Sequence, residues 1–137
     1  MAGAYHGTFQ GLGTYDRQLK VSTPQAVTGT VTYNSDVVSS TGMMLNYSYQ
    51  CGVESGTPTG TFQVWASNDP RAQDAQTRSA AKWTLVQSVG FTSGVTTVGS
   101  QTSTMIVVQN AYRFTYCSWV NSAGSGTIFA FGSGVSN

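Results

Sequence analysis

The chain has 137 residues and 11 formal charges, six Lys/Arg against five Asp/Glu, for a net charge of +1. Its length fits one domain. Six basic residues form no stripe, which argues against nucleic-acid binding through phosphate contacts, and no apolar run approaches the roughly 20 residues of a bilayer-spanning helix. Charged residues make up 8% of the chain, against about a quarter in an ordinary globular protein. So thin an ionic coat suits a module covered by neighbours better than a freely diffusing enzyme.

Residues 1–17, MAGAYHGTFQGLGTYDR, have no basic cluster followed by an apolar core and no lipidation box, so the chain is expected to be made in the host cytoplasm. By composition they read as an N-terminal arm, with Tyr5, Phe9, Leu12 and Tyr15 as apolar anchors for a partner, ahead of a domain over 18–137. A first strand is expected around Gln18 to Thr23. Val27 to Tyr33 (VTGTVTY) is a second β-prone segment.

The clearest signal is Met43 to Val53. Met43, Leu45, Tyr47, Tyr49, Cys51 and Val53 alternate with Met44, Asn46, Ser48, Gln50 and Gly52, the period of two that puts alternate side chains on opposite faces of a strand. Gly60 to Ser67 follows, again rich in β-branched and aromatic residues. Next comes Asn68 to Lys82, which holds five of the 11 charges: Asp69, Arg71, Asp74, Arg78 and Lys82. Within it Pro70 to Ala81 has an early Pro, several alanines, and Asp74 four residues before Arg78. That reads as a loop with one or two helical turns, and loops of this length are commonly contact-making. Asp69, Arg71, Asp74 and Arg78 are therefore candidate partner contacts.

Further strands are expected at Lys82 to Ser88, Thr102 to Gln109, Ala111 to Val120 and Gly126 to Phe131, with Gly/Thr/Ser turns at 53–60 and 91–101 and a flexible tail at 132–137. In Tyr112 to Val120, Tyr112, Phe114, Tyr116, Ser118 and Val120 share one face and Arg113, Thr115, Cys117 and Trp119 the other. Both faces are partly apolar, as in a strand near the middle of a sandwich. The pattern gives an all-β fold: an antiparallel two-sheet β-sandwich or jelly roll of about eight strands with one long charged loop.

Chemistry is sparse. The lone His6 lies in the arm, where a rigidly placed general base is not expected. The carboxylates are Asp16, Asp36, Glu54, Asp69 and Asp74. Of these, Asp69 and Asp74 are near one another in sequence but lie among Arg71 and Arg78, where salt bridging is the simpler account than paired acid catalysis. Asn68, Asp69 and Asp74 offer oxygen ligands, yet their spacing matches no calcium loop. No glycine-rich phosphate cradle is present. Neither catalytic residues, metal nor cofactor are expected. Cys51 and Cys117 sit in strand-like segments and read as two reduced core thiols, with pairing as the alternative. Trp65, Trp83 and Trp119 read as core first and as a sugar-stacking platform second.

The segments FQVWASNDP (Phe62 to Pro70), KWTLVQS (Lys82 to Ser88), AYRFTYCSW (Ala111 to Trp119) and SGTIFAFGSG (Ser125 to Gly134) carry a resemblance over residues 43–134. In order, they resemble small structural proteins of bacteriophages and are loosely similar to discoidin-like carbohydrate-binding sandwiches. In the latter, the Trp follows the SND turn within a few residues, whereas here Trp83 stands beyond the charged insertion. The phage resemblance implies a non-enzymatic virion component of capsid-decoration, spike or minor-capsid type, whose partners are other copies of itself or a major coat protein. The alternative is a carbohydrate-binding or host-attachment module, with a glycan as ligand.

Overall fold

A computed structural model describes residues 12–13, 25–35, 37–39, 44–109 and 112–136. The expected strand at Gln18 to Thr23, the arm residues Tyr5, His6, Phe9, Tyr15 and Asp16, and Asp36 lie outside these residues. Eleven strands are present among the described residues: β1 Leu12–Gly13, β2 Gln25–Thr28, β3 Thr32–Asn34, β4 Val38–Ser39, β5 Met44–Gly56, β6 Thr59–Ser67, β7 Thr84–Thr92, β8 Val95–Thr96, β9 Ser103–Gln109, β10 Phe114–Ala123 and β11 Ser125–Ser136. They form two sheets. One runs β1-β11-β5-β9 with β2 also on β11, and the other β3-β10-β6-β7-β8 with β4 also on β10. The expected β-sandwich is therefore the fold.

The core forms where inward faces meet. Tyr49, Cys51, Val53, Ile106, Val108, Ile128 and Ala130 from the first sheet meet Phe62, Val64, Phe91, Cys117 and Trp119 from the second, all buried. The alternation seen from Met43 onward is realised at Tyr49, Cys51 and Val53, which point inward, while Gln50 is exposed. Phe62, Phe91 and Trp119 pack as an aromatic trio, with centroids 4.6 Å apart for Phe62–Trp119, 5.6 Å for Phe62–Phe91 and 5.9 Å for Phe91–Trp119. The tilted and edge-on geometries are those aromatic quadrupoles favour.

Trp119 also has a polar end to satisfy. Its Nε1 donates to Asn121 Oδ1 at 3.0 Å, and Asn121 Nδ2 in turn donates to the carbonyls of Gly29 and Gly124 at 2.6 and 3.1 Å. This buried amide thus clamps two turns to β10. Between the sheets, Tyr49 Oη and Thr115 Oγ1 share a buried hydrogen bond of 3.1 Å. Cys51 and Cys117, one from each sheet, are free and buried. Burial pushes the Cys51 thiol well above its ordinary pKa, reinforced by a hydrogen bond with Cys117, so Cys51 remains a protonated core group.

Several expectations change. Val27 to Tyr33 is two strands, because Gly29 at φ 69° turns the chain between β2 and β3. Residues 132–136 of the segment read as a flexible tail are instead the end of β11, paired with β5 through Ser136. The backbone of Gly-rich residues gains a ladder from a long neighbour that composition does not reveal. The turn expected at 91–101 contains a tight hairpin, Ser93 (φ 49°) and Gly94 (φ 86°) joining β7 to β8. These are the positive angles a type I′ turn requires. Nor is the pairing wholly antiparallel: β1, from the arm, pairs parallel with β11, Leu12 against Ala130 and Gly13 against Phe131.

Gly60 is where the second sheet closes on its largest side chain. A Cβ there would overlap the carbonyl of Val120 and lie 2.6 Å from Trp119 Cζ2, and neither a ladder carbonyl nor a locked indole can move cheaply. Gly60→Ala is expected to lower unfolding free energy by about 1–3 kcal/mol, the usual cost of overpacking. A urea titration followed by tryptophan fluorescence measures it, and an unchanged midpoint would show that Trp119 is not locked.

Candidate functional groove

Strands β10 and β6 bury residues on both sides, and the outer side carries the candidate site. On β6, Phe62, Val64 and Ala66 are buried, while Gln63 and Trp65 between them point outward and are half-buried. Tyr116 on β10 stands opposite Trp65 in register, as Ser118 stands opposite Gln63. Trp65 Nε1 donates to Gln63 Oε1 at 3.3 Å. Thus only Trp119 of the three tryptophans is in the sandwich core. Trp65 and Trp83 lie half-buried outside it, and strand alternation identifies Trp65 once the inward face is known.

The charged segment Asn68 to Lys82 folds onto this outer face. It forms two short 3₁₀ turns, Pro70–Ala72 and Arg78–Ala80, and plants Ala72 and Ala81 on Phe114, with Val37 and Trp83 packed around them. A segment with no strand ladder must satisfy its backbone polar groups by other means, and here charged side chains do so. The Asp69 carboxylate accepts from Arg71 N at 2.9 Å, from Arg71 Nε and Nη2 at 3.0 and 2.7 Å, and from Lys82 N at 2.9 Å. It joins the loop's first turn to its last residue. Arg78 Nε and Nη2 donate to the carbonyls of Ala72 and Gln73, both at 2.9 Å. Asn68 Oδ1 accepts from Arg113 N at 2.8 Å, fastening the loop to the start of β10.

Of the four candidate contacts in the loop, Asp69, Arg71 and Arg78 are therefore loop-building groups, while Asp74 is exposed. Asn68 and Asp69, weighed above as cation ligands, direct these oxygens at backbone and guanidinium donors. Among the described residues no three His, Cys, Asp or Glu side chains come together. Leu12, the one arm anchor with a described backbone, lies in β1 on β11.

Between the loop and strands β3 and β10 lies a groove of about 440 Å³. Its apolar part is Trp83 edge-on to Tyr116, centroids 4.8 Å apart and planes at 82°. Asn34 and Val37 line one side and Ala75, Arg78 and Ser79 the other. Trp83 Nε1 donates to the Arg78 carbonyl at 3.3 Å, which fixes the indole to the loop. Burial pushes the Tyr116 phenol pKa up, leaving it a neutral hydroxyl.

A second exposed feature lies across the molecule. Strand β9 is the edge of its sheet and pairs, among the described residues, with β5 alone. Ile106 and Val108 point into the core, while Met105 and Val107 point outward, 56% and 50% exposed.

No family model matches the chain, and no curated protein matches it. Among solved structures, the PBSX exported protein XepA superposes on 84% of this chain with a TM-score of 0.59 and 17% identity. This chain spans 36% of that protein's length. A family 6 carbohydrate-binding module covers 80% of the chain at 13% identity and a TM-score of 0.36, with 71% of that module matched. CBM28, a carbohydrate-binding module specific for non-crystalline cellulose, covers 86% at 5% identity and a TM-score of 0.44, with 76% of it matched. The match to XepA shows a shared β-sandwich fold. Nothing further follows from the two lower scores.

The carboxylate of Asp69 gives a direct check on the loop. Hydrogen bonds from the Arg71 side chain and backbone, then from Lys82, hold its carboxyl well below the usual range. A depressed folded-state pKa contributes stability above the unfolded value of about 3.9, and that contribution is lost as pH falls below it. Asp69→Asn is expected to open the loop to proteolysis and lower Tm at pH 7, with the difference from wild type narrowing as pH drops below about 4. A Tm gap that stays constant from pH 7 to pH 3 would separate Asp69 from loop closure.

Proposed function

We propose that this chain is a non-enzymatic structural component of a bacteriophage particle, a β-sandwich that works by contact with further copies of itself or with a coat protein. The observation that carries this reading is the β9 edge. Natural edge strands are guarded against pairing by charges, proline, bulges or brevity. β9, STMIVVQ, is seven residues long and has none of the first two, and its outward Met105 and Val107 stand opposite uncharged Gln50 and Ser48 of β5. A strand from a neighbour laid along β9 would satisfy its outer backbone groups and cover those two side chains together.

The pairing of β1 onto β11 supports the same mode of growth at the opposite edge, since a segment of the arm there extends the sheet. The low charge of the chain fits a surface that is covered in place. The phage assignment draws on the order of strand motifs in the sequence, and on the fold shared with the phage PBSX exported protein XepA. On this reading the chain resides in the virion.

Light scattering coupled to size-exclusion chromatography is the test. Wild-type protein is expected to self-associate as concentration rises. Met105→Lys and Val107→Lys are expected to shift it to monomer while changing stability by only about 0.5 kcal/mol, as exposed substitutions do. A wild-type chain that stays monomeric at high concentration would remove the β9 seam as the basis of assembly.

A further inference from the structure

We propose that the groove between the charged loop and strands β3 and β10 is a saccharide-binding site. It lies on the opposite sheet from β9, so it is independent of the assembly reading.

Four features of the groove bear on its ligand. The first is the aromatic pair. Trp83 and Tyr116 are half-buried, lie outside the sandwich core and meet edge-on at 4.8 Å, so each presents a different ring direction to the groove. Apolar ring faces stack on the C–H faces of pyranose rings, while a flat or charged ligand would need parallel planes or several opposite charges. The second is the set of polar groups. The Asn34 amide, the Ser79 hydroxyl and the Tyr116 hydroxyl line the groove, and none has a hydrogen-bond partner among the described residues. Neutral amides and hydroxyls, each able to donate and accept, match sugar hydroxyls group for group.

Third is size. A volume of about 440 Å³ falls within the roughly 300–1,000 Å³ of small-ligand clefts. Fourth is rigidity. The groove's apolar corner is fixed from both sides: Trp83 by its bond to the Arg78 carbonyl, and Tyr116 by its place in β10 between β3 and β6. A preformed site loses less entropy on binding.

Other occupants fit less well. An extended peptide binds a sheet by completing a backbone ladder, but the floor of this groove is a sheet face whose strands are already paired on both sides at Tyr116's strand. A nucleotide would call for phosphate-neutralising charge. Among the described residues the sole cation lining the groove is Arg78, and its Nε and Nη2 already donate to Ala72 and Gln73.

The experiment uses the full chain on an array of neutral and acidic oligosaccharides, followed by titration of tryptophan fluorescence with the best-retained tetrasaccharide. Binding with a change in indole emission is expected. Asn34→Ala and Ser79→Ala alter exposed side chains without touching the core, and each should weaken it roughly tenfold. Trp83→Ala should abolish it. Because Trp83 also packs on Phe114, its far-ultraviolet spectrum and Tm serve as a folding control, and the two exposed variants keep the test decisive if that control fails. Retention of no saccharide, or binding that Asn34→Ala and Ser79→Ala leave unchanged, overturns the proposal. So does preferential capture of peptides. Light scattering on the same samples reads the β9 seam separately, so loss of assembly and loss of binding cannot be confused.

Discussion

Burial of strand β10 on both of its faces is the constraint from which the rest follows. Inward, Thr115, Cys117, Trp119 and Asn121 enter the sandwich. Outward, Phe114 is buried beneath Ala72 and Ala81 of the loop, and Tyr116 meets Trp83. An antiparallel strand with one wet face would show clean alternation of apolar and polar residues, and AYRFTYCSWV does not. The price of an apolar outer face is a cover, and the segment Asn68 to Lys82 supplies it. Where that cover stops short, between β3 and the second 3₁₀ turn, the groove begins.

This also shows what sequence could disclose and what it could not. Period-two alternation at Tyr49, Cys51 and Val53 specified the inward face of β5, because a buried face and a solvated one differ in polarity at every step. The same rule sorted β10 correctly into Phe114/Tyr116 and Cys117/Trp119. It could not say that the charged loop would lie on the first of those faces, since this depends on a contact between residues some 40 apart in the chain, Ala72 with Phe114. Trp83 was visible as displaced from a strand-turn pattern. Its placement against Tyr116 was not, because the indole is held by a backbone carbonyl of the loop, and carbonyls have no sequence signature. Asn34, Val37 and Ser79 gave no signal at all. They line the groove by position, not by residue type.

Strand ends were misplaced for a related reason. Gly132 to Ser136 has the composition of a tail, and short β-propensity is a weak guide where a neighbour dictates pairing. β5 runs 13 residues, longer than most strands, and its length obliges β11 to follow it as far as Ser136. At Gly29, by contrast, the local conformation overrules the neighbour. A positive φ, together with the Asn121 side chain bonded to its carbonyl, ends β2 and starts a turn inside a run of β-branched residues.

The concentration of charge in one stretch then has a physical explanation that differs from the one it first suggests. Among the described residues outside the loop, most lie in strands whose backbone groups pair in ladders, and their side chains can remain neutral. The loop has no ladder beyond two short turns, so its carbonyls and N–H groups need strong local partners, and charge-assisted hydrogen bonds are about twice as strong as neutral ones. Asp69 takes two backbone N–H groups and a guanidinium; Arg78 takes two carbonyls. Exposed ion pairs contribute little to overall stability, which is consistent with this use: they set the shape of a cover whose anchoring comes from Ala72, Ala81 and Trp83. Asp69 and Arg78, which stand out in the sequence as charges, thus hold the shape of the loop that carries Ser79 and leads into Trp83.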